Sequence, residues 1–245
     1  MLKHYHGAML YAATEGAPAA GSRVAFFGGS FDPPHNGHLA VARAARAALH
    51  LDRVLFAPVG TQPLKPHGSS ACFDHRVAMT RLAIADEPSF EVSLIDAPTP
   101  AGRPNYTYDT LLALRAQLPP GSALFCLMGA DSFLGLRQWH RAAELPFLAP
   151  LIVASRPGQQ LTDIAAMLPP GLSLSEPPAE PASPEFRRLT LRNTAGTTAP
   201  FYLLPGLHVD VSATQIRSQI RSAQSAAALL PPAVAAFIAA HQLYR

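Results

Sequence analysis

The sequence predicts an α/β fold: a mainly parallel sheet of five to six strands, doubly wound with helices and followed by a small C-terminal helical segment. Three observations carry this. Short apolar runs at 24–27, 54–57, 124–128 and 151–154, with a short strand at 90–94, alternate with segments whose apolar residues recur at steps of three and four. The run Leu-Phe-Cys-Leu-Met at 124–128 is the most hydrophobic, as the centre of a parallel sheet requires. The first strand passes into its helix through the turn Gly-Gly-Ser-Phe-Asp-Pro-Pro-His-Asn-Gly-His-Leu at 28–39.

That turn organises the chain. Leu39, Ala42, Ala45 and Leu49 give the following helix one apolar face, and Arg43, Arg46 and His50 a polar one. A strand-to-helix turn offers free backbone N–H groups and the positive end of a helix dipole to an anion. Gly28 and Gly29 let the backbone approach a phosphate closely. Pro33 and Pro34 exclude helix until the Asn36-Gly37 turn has passed. His35 and His38, three apart at the helix mouth, can aim two imidazoles at one phosphate. The same residues would serve an ordinary turn, and two histidines would serve zinc. No Cys or carboxylate cluster is spaced to complete a metal site, and neither G-x-G-x-x-G nor G-x-x-x-x-G-K-[ST] occurs.

Composition bounds the alternatives. The 245 residues fit one large α/β domain, and 49% apolar with 14% charged residues excludes global disorder. Net charge is only +3, and the basic residues are scattered arginines, Lys3 and Lys65 being the only lysines. This argues against a nucleic-acid partner. Cys72 and Cys126 form no C-x-x-C, and Cys126, within the central run, reads as a free core thiol. No apolar run reaches membrane-span length, and the N-terminus lacks a signal-peptide core, so no membrane partner and a cytoplasmic location are expected. Residues 1–22 lack periodicity and read as a flexible extension, leaving 23–245 as one domain.

After the second strand, the loop 61–70 carries Lys65, a cation for phosphate charge or a solvated loop residue. A helix is expected over 74–85 with Asp74 as N-cap. Thr107 is a good N-cap candidate for a helix carrying Leu111, Leu114 and Leu118. The central strand ends in Gly129-Ala130-Asp131-Ser132, where an acid can bind ribose hydroxyls or cap a helix. Trp139, the only Trp, suits either the core or stacking on a ring. Arg156 follows the fifth strand as a phosphate contact or a structural arginine. Residues 157–200 read as an irregular proline-rich insertion with a short helix at 161–168 and a basic patch at Arg187, Arg188 and Arg192. Phe201 to Leu204 and His208 to Val211 read as edge-type strands.

Then comes Ser212-Ala213-Thr214-Gln215-Ile216-Arg217. Ser212 with Gln215 is a capping box, which accounts for a helix start. It does not account for Arg217, since a cation near a helix N-terminus opposes the dipole by a few tenths of a kcal/mol, roughly, unless an anion binds there. Ile216 and Ile220 supply the buried face.

His35-Asn36-Gly37-His38 and Ser-x-Thr-x-x-Arg at 212–217 closely resemble the two phosphate motifs of the nucleotidylyltransferase superfamily, [HT]-x-G-H and S-x-T-x-x-R. The detail of residues 28–35, with Tyr106-Thr107, Asp131, Trp139 and Arg156-Pro157-Gly158, is most similar to the bacterial nicotinate-nucleotide adenylyltransferase family. The resemblance covers roughly 23–156 and 200–245. It implies a Rossmann-like domain that joins the AMP moiety of ATP to nicotinate mononucleotide, giving nicotinate adenine dinucleotide and pyrophosphate. His35, His38 and Arg217 would be catalytic. Gly28, Gly29, Ser30, Phe31, Lys65, Arg156, Ser212 and Thr214 would bind ATP, and Asp32, Thr107, Asp131, Trp139 and His140 the mononucleotide. Mg2+ would be held mainly through ATP phosphates, with no protein metal site. His140 stands where the family often has Tyr, and Leu64 replaces a family His before Lys65. A homo-oligomer is left open. The rival readings are a pantetheine-phosphate type adenylyltransferase, a non-catalytic nucleotide sensor, and a fragment of a class I aminoacyl-tRNA synthetase, whose second motif needs lysines absent here.

Overall fold

The computed structural model describes residues 18–65, 68–154, 161–176, 186–204 and 211–245. The expectations for residues 1–17, for Arg156 and for His208 lie outside them.

Among the described residues eight strands form one sheet in the order β3-β2-β1-β4-β5-β8-β7-β6. They are β1 (Arg23–Gly29), β2 (Arg53–Pro58), β3 (Phe90–Val92), β4 (Ala123–Gly129), β5 (Leu151–Ala154), β6 (Leu172–Ser175), β7 (Arg187–Asn193) and β8 (Thr198–Leu204). From β3 through β8 every neighbouring pair is parallel, and β8-β7-β6 closes the sheet antiparallel. The helices are α1 (Asn36–Leu49), α2 (Phe73–Ala83), α3 (Thr107–Gln117), α4 (Ala130–Leu134), α5 (Leu145–Leu148), α6 (Leu161–Met167), α7 (Ala213–Arg221) and α8 (Pro232–Ala240).

The doubly wound expectation holds, but the sheet has eight strands rather than five to six. The two extra strands, β6 and β7, lie in the segment expected to be irregular. Their cause is period-two alternation: Leu189 and Leu191 are buried while Arg188 and Arg192 face out. Arg188 and Arg192 of the basic patch are therefore the outer face of a strand, whereas Arg187, on the parity of Leu189 and Leu191, pairs with Glu176. Phe201 to Leu204 is no edge strand, since β8 lies between β5 and β7 with Phe201 fully buried.

Alternation along β1 feeds two cores. Ala25 and Phe27 join the layer of α1, α2, α7 and α8, whereas Val24 and Phe26 join that of α3, α4 and α5. α1 begins at Asn36, so Asn36-Gly37 is its first turn of helix rather than a preceding loop. What Gly37 supplies is closeness: a Cβ there would lie 2.8 Å from Val211 Cγ1 and 3.0 Å from His35 Nδ1. α2 is capped at Cys72, not Asp74, which falls in its first turn. Among the described residues no helix is long and apolar enough to cross a membrane.

Candidate active site

The chain leaves β1 toward β2 on one side and reaches β4 on the other, so a crevice opens beyond the carboxyl ends of β1 and β4. A cavity of about 410 Å³ occupies it. Gly28, Gly29 and Ser30 at the end of β1 and Lys65 after β2 line one side. Thr107 at the start of α3, Asp131 in α4, Trp139 and His140 line the other. Residues separated by more than a hundred positions thus share one wall-to-wall space.

The loop after β1 is held by two groups. Arg76 of α2 is 2% exposed, and its guanidinium donates to Ser30 O at 2.7 Å, Val59 O at 2.8 Å and Ala71 O at 3.2 Å. Asp32 is buried, and its carboxylate accepts from Ser70 N–H at 2.6 Å, Ala71 N–H at 3.0 Å and the Tyr244 hydroxyl at 2.8 Å. Asp32, expected to reach substrate, has both its oxygens engaged inside the protein. Phe31, expected at ATP, is 1% exposed, with its ring in edge contact with His38 at 4.9 Å and Phe27 at 5.6 Å. Arg76 and Tyr244 carried no sequence signal, because each is locally an ordinary residue of a helix or terminus.

His35 caps α1 and its ring stacks on His38 with centroids 3.7 Å apart. His35 N–H donates to His38 Nδ1 at 3.1 Å. The neutral His38 ring therefore carries its proton on Nε2. Burial pushes the His35 pKa down to about 4, and burial with His35 beside it holds His38 well below the usual imidazole value. At neutral pH both rings are uncharged donors.

The second motif packs on the first. Ser212 Oγ caps α7 by accepting Gln215 N–H at 3.2 Å, the expected half of the box. Ile216 is fully buried, and Arg217 reaches back to donate to Asp32 O at 2.7 Å and to Thr214 Oγ1 at 3.4 Å. Val211 abuts Gly37, and Asn36 Nδ2 donates to Ala228 O at 3.1 Å. Lys65 Nζ donates to Ser30 Oγ at 3.1 Å, and its pKa is lowered by burial first and by Arg217 next, so these two cations share one field. An anion between them would relieve that repulsion.

Across the cavity, Tyr106 lies 4.6 Å from His140 between ring centroids, beside Trp139. The sequence reading missed Asp96, a 4% exposed acid in a loop with no periodicity, which accepts the Thr110 hydroxyl and lines the cavity. Burial raises its pKa to about 6 against the opposing Thr110 hydrogen bond, and burial pushes the Cys126 thiol up to about 12.

These shifts have opposite consequences. Between pH 6.5 and about 4 the unfolded chain protonates His35 and the native chain does not, so acidification costs stability, on the order of 3 kcal/mol over the window. Between about pH 6 and 3.8 the native chain protonates Asp96 while the unfolded chain stays ionised, which adds stability. Asp96→Asn should therefore lose stability more steeply from pH 6 to 4 than the unaltered chain, as read by urea midpoints. A parallel fall in the two would disprove the assignment. Gly60 gives a simpler prediction. A Cβ there would sit 2.4 Å from Pro98 N and 2.7 Å from Pro98 Cα, so Gly60→Ala should cost more than about 2 kcal/mol by the same measurement.

The sheet order, the glycine turn and the paired helix entrances define a nucleotide-binding α/β protein of the nucleotidyltransferase kind. The chain belongs to the cytidylyltransferase-like family, whose model matches residues 26–219. Its relatives carry a narrower name. A Trichlorobacter lovleyi protein is 39% identical over 223 residues, 91% of this chain and 99% of that one. A Roseiflexus protein is 40% identical over 224 residues, 91% of this chain and 98% of that one. Each is named "Probable nicotinate-nucleotide adenylyltransferase". The solved Plasmodium falciparum nicotinic acid mononucleotide adenylyltransferase complexed with NaAD superposes with a TM-score of 0.65. It covers 91% of this chain and 97% of that chain at 17% identity, a likeness of fold.

Proposed function

We propose that the chain is a nicotinate-nucleotide adenylyltransferase of NAD biosynthesis, transferring AMP from ATP to nicotinate mononucleotide with release of pyrophosphate. The observation that carries this is the Arg217 hydrogen bond to Asp32 O at 2.7 Å, with Val211 against Gly37. It makes the entrances of α1 and α7 one anion cradle at the mouth of a cavity whose far wall is aromatic.

The 5′-phosphate of the mononucleotide attacks the α-phosphorus of ATP, and the bond to the β-phosphate oxygen breaks. The attacking oxygen is already ionised, so no base or covalent nucleophile is needed. Catalysis rests on alignment and on donors aimed at developing charge. His38 Nε2–H and the His35 ring donate to α-phosphate oxygens, and Arg217 and Lys65 take charge on the leaving pyrophosphate. Gly28 and Gly29 admit the nucleotide closely, and Ser30, Ser212 and Thr214 frame the phosphates through hydroxyls already aligned by Lys65, Gln215 and Arg217. Phe31 and Asp32 act from beneath, setting the loop. Trp139, His140 and Thr107 receive the pyridine ring and Asp131 the ribose.

Among the described residues no group of three His, Cys, Asp or Glu is placed to hold a metal. Mg2+ would be held mainly on phosphate oxygens and water, where it would neutralise phosphate charge.

Pyrophosphate release from ATP tests the reading with nicotinate mononucleotide, nicotinamide mononucleotide and phosphopantetheine compared side by side. Release with the pyridine mononucleotides, fastest with the acid, is expected. Release only with phosphopantetheine, or with none of the three, would overturn it.

A further inference from the structure

The two substrate halves of the cavity are joined by one residue. Asn105 Oδ1 accepts Thr61 N–H at 2.8 Å, Asn105 N–H donates to Thr61 O at 2.9 Å, and Asn105 Nδ2 donates to Ala97 O at 3.2 Å. Beside it Gly60 N–H donates to Asp96 O at 2.7 Å, and Gly60 lies directly on the Pro98 backbone. On one side of this joint the chain runs through Gln62 to Lys65, whose ammonium reaches Ser30 of the phosphate loop. On the other it runs into Tyr106 and Thr107, which open α3 on the same wall of the cavity as His140 and Trp139, the Tyr106 ring lying against His140. Neither loop can shift without breaking this pair of hydrogen bonds, one to the Asn105 side chain and one between backbones, or carrying the other with it.

We propose that Asn105 is a positioning residue that couples the pyridine-binding wall to Lys65, so that the mononucleotide and ATP each tighten the binding of the other. This rests on the function proposed above. Ordering the start of α3 around a pyridine ring fixes Thr61 through Asn105, and fixing Thr61 presents Lys65 to the triphosphate. Such a linkage is reciprocal in binding free energy. It acts through the backbone of two loops, so it vanishes when either end of the chain of contacts is cut.

The test is calorimetric, with α,β-methylene ATP, whose α–β bridge cannot be cleaved, in the presence and absence of saturating nicotinate mononucleotide. In the unaltered chain the mononucleotide should tighten analogue binding by about tenfold. In Asn105→Ala that ratio should fall to near one, while each ligand alone binds within about threefold of its original Kd. Lys65→Ala should also abolish the ratio, and combining the two changes should remove nothing more. Asn105→Asp keeps the oxygen facing Thr61 N–H but loses the Nδ2 donor and sets oxygen against oxygen at Ala97, so it should retain only part of the ratio. Should Asn105→Ala not fold, Asn105→Ser gives the same reading at smaller amplitude. A merely structural asparagine would lower Tm and leave the ratio intact, which would overturn the coupling. Both ligands binding the unaltered chain without mutual effect would also overturn it, alone. Failure of nicotinate mononucleotide to bind at all would sink the substrate and the coupling together.

Discussion

Replacing His38 by Asn is expected to lower kcat by about 10²- to 10³-fold while leaving the fold and the ATP Kd nearly unchanged. The reason lies in which ring nitrogen does what. Nδ1 is occupied at 3.1 Å by His35 N–H, a donor that would otherwise be unsatisfied at the start of α1. An Asn oxygen can take over that contact. It cannot replace Nε2–H, which alone can reach outward to a phosphate. His38→Ala should lose activity to the same degree and also lose stability, by about 1 kcal/mol, since the cap contact goes with the ring. His38→Gln, whose amide N–H extends toward the Nε2 position, should recover part of kcat. Single-turnover rates with thermal unfolding on the same samples separate these effects. Near-full activity in His38→Asn would refute the donor role. Because burial keeps both rings neutral, the donors persist above pH 6.5, and no loss of kcat from histidine deprotonation is expected between pH 6.5 and 8.

Asp32→Ala should have the largest effect on stability. Its removal orphans two backbone N–H groups and the Tyr244 hydroxyl, and leaves Arg76, 2% exposed, without its nearby countercharge. Unpaired buried donors cost about 1–3 kcal/mol each and an unpaired buried charge more, so about 4 kcal/mol is a reasonable total. For a chain of this size that corresponds to a Tm lower by roughly 10 °C. The functional consequence should go through Arg217, whose perch is Asp32 O. The KM for ATP should rise more than that for nicotinate mononucleotide. Tyr244→Phe removes one of the three contacts and should show the same pattern, weakened. A Tm within 2 °C of the unaltered chain in Asp32→Ala would contradict this account, with unfolding followed by circular dichroism.

The reach of the sequence follows from which interactions are local. Alternating apolar runs and helical periodicity specify the parallel strands β1 to β5 and the helices α1, α3 and α7, because burial of one face is written into each segment. The two phosphate motifs were legible for a related reason. Each packs its chemistry into six to twelve consecutive residues, since a helix entrance is a local structure. β7 was written just as locally, in Leu189 and Leu191 between arginines, but prolines on both sides masked it.

What only the tertiary structure decided concerns groups whose partners are remote in the chain. Asp32 stands in the middle of a phosphate motif, and the family resemblance assigned it to substrate; its partners, 38, 39 and 212 positions away, make it an anchor of the loop. Asp96 and Arg76 are unremarkable as residues, and their roles exist only because the sheet order brings α2 and the β3–α3 loop to the ends of β1 and β2. Local patterning fixes what a segment becomes. Desolvation and hydrogen-bond partnership, which set the charge state and duty of each polar side chain, are properties of the folded neighbourhood alone.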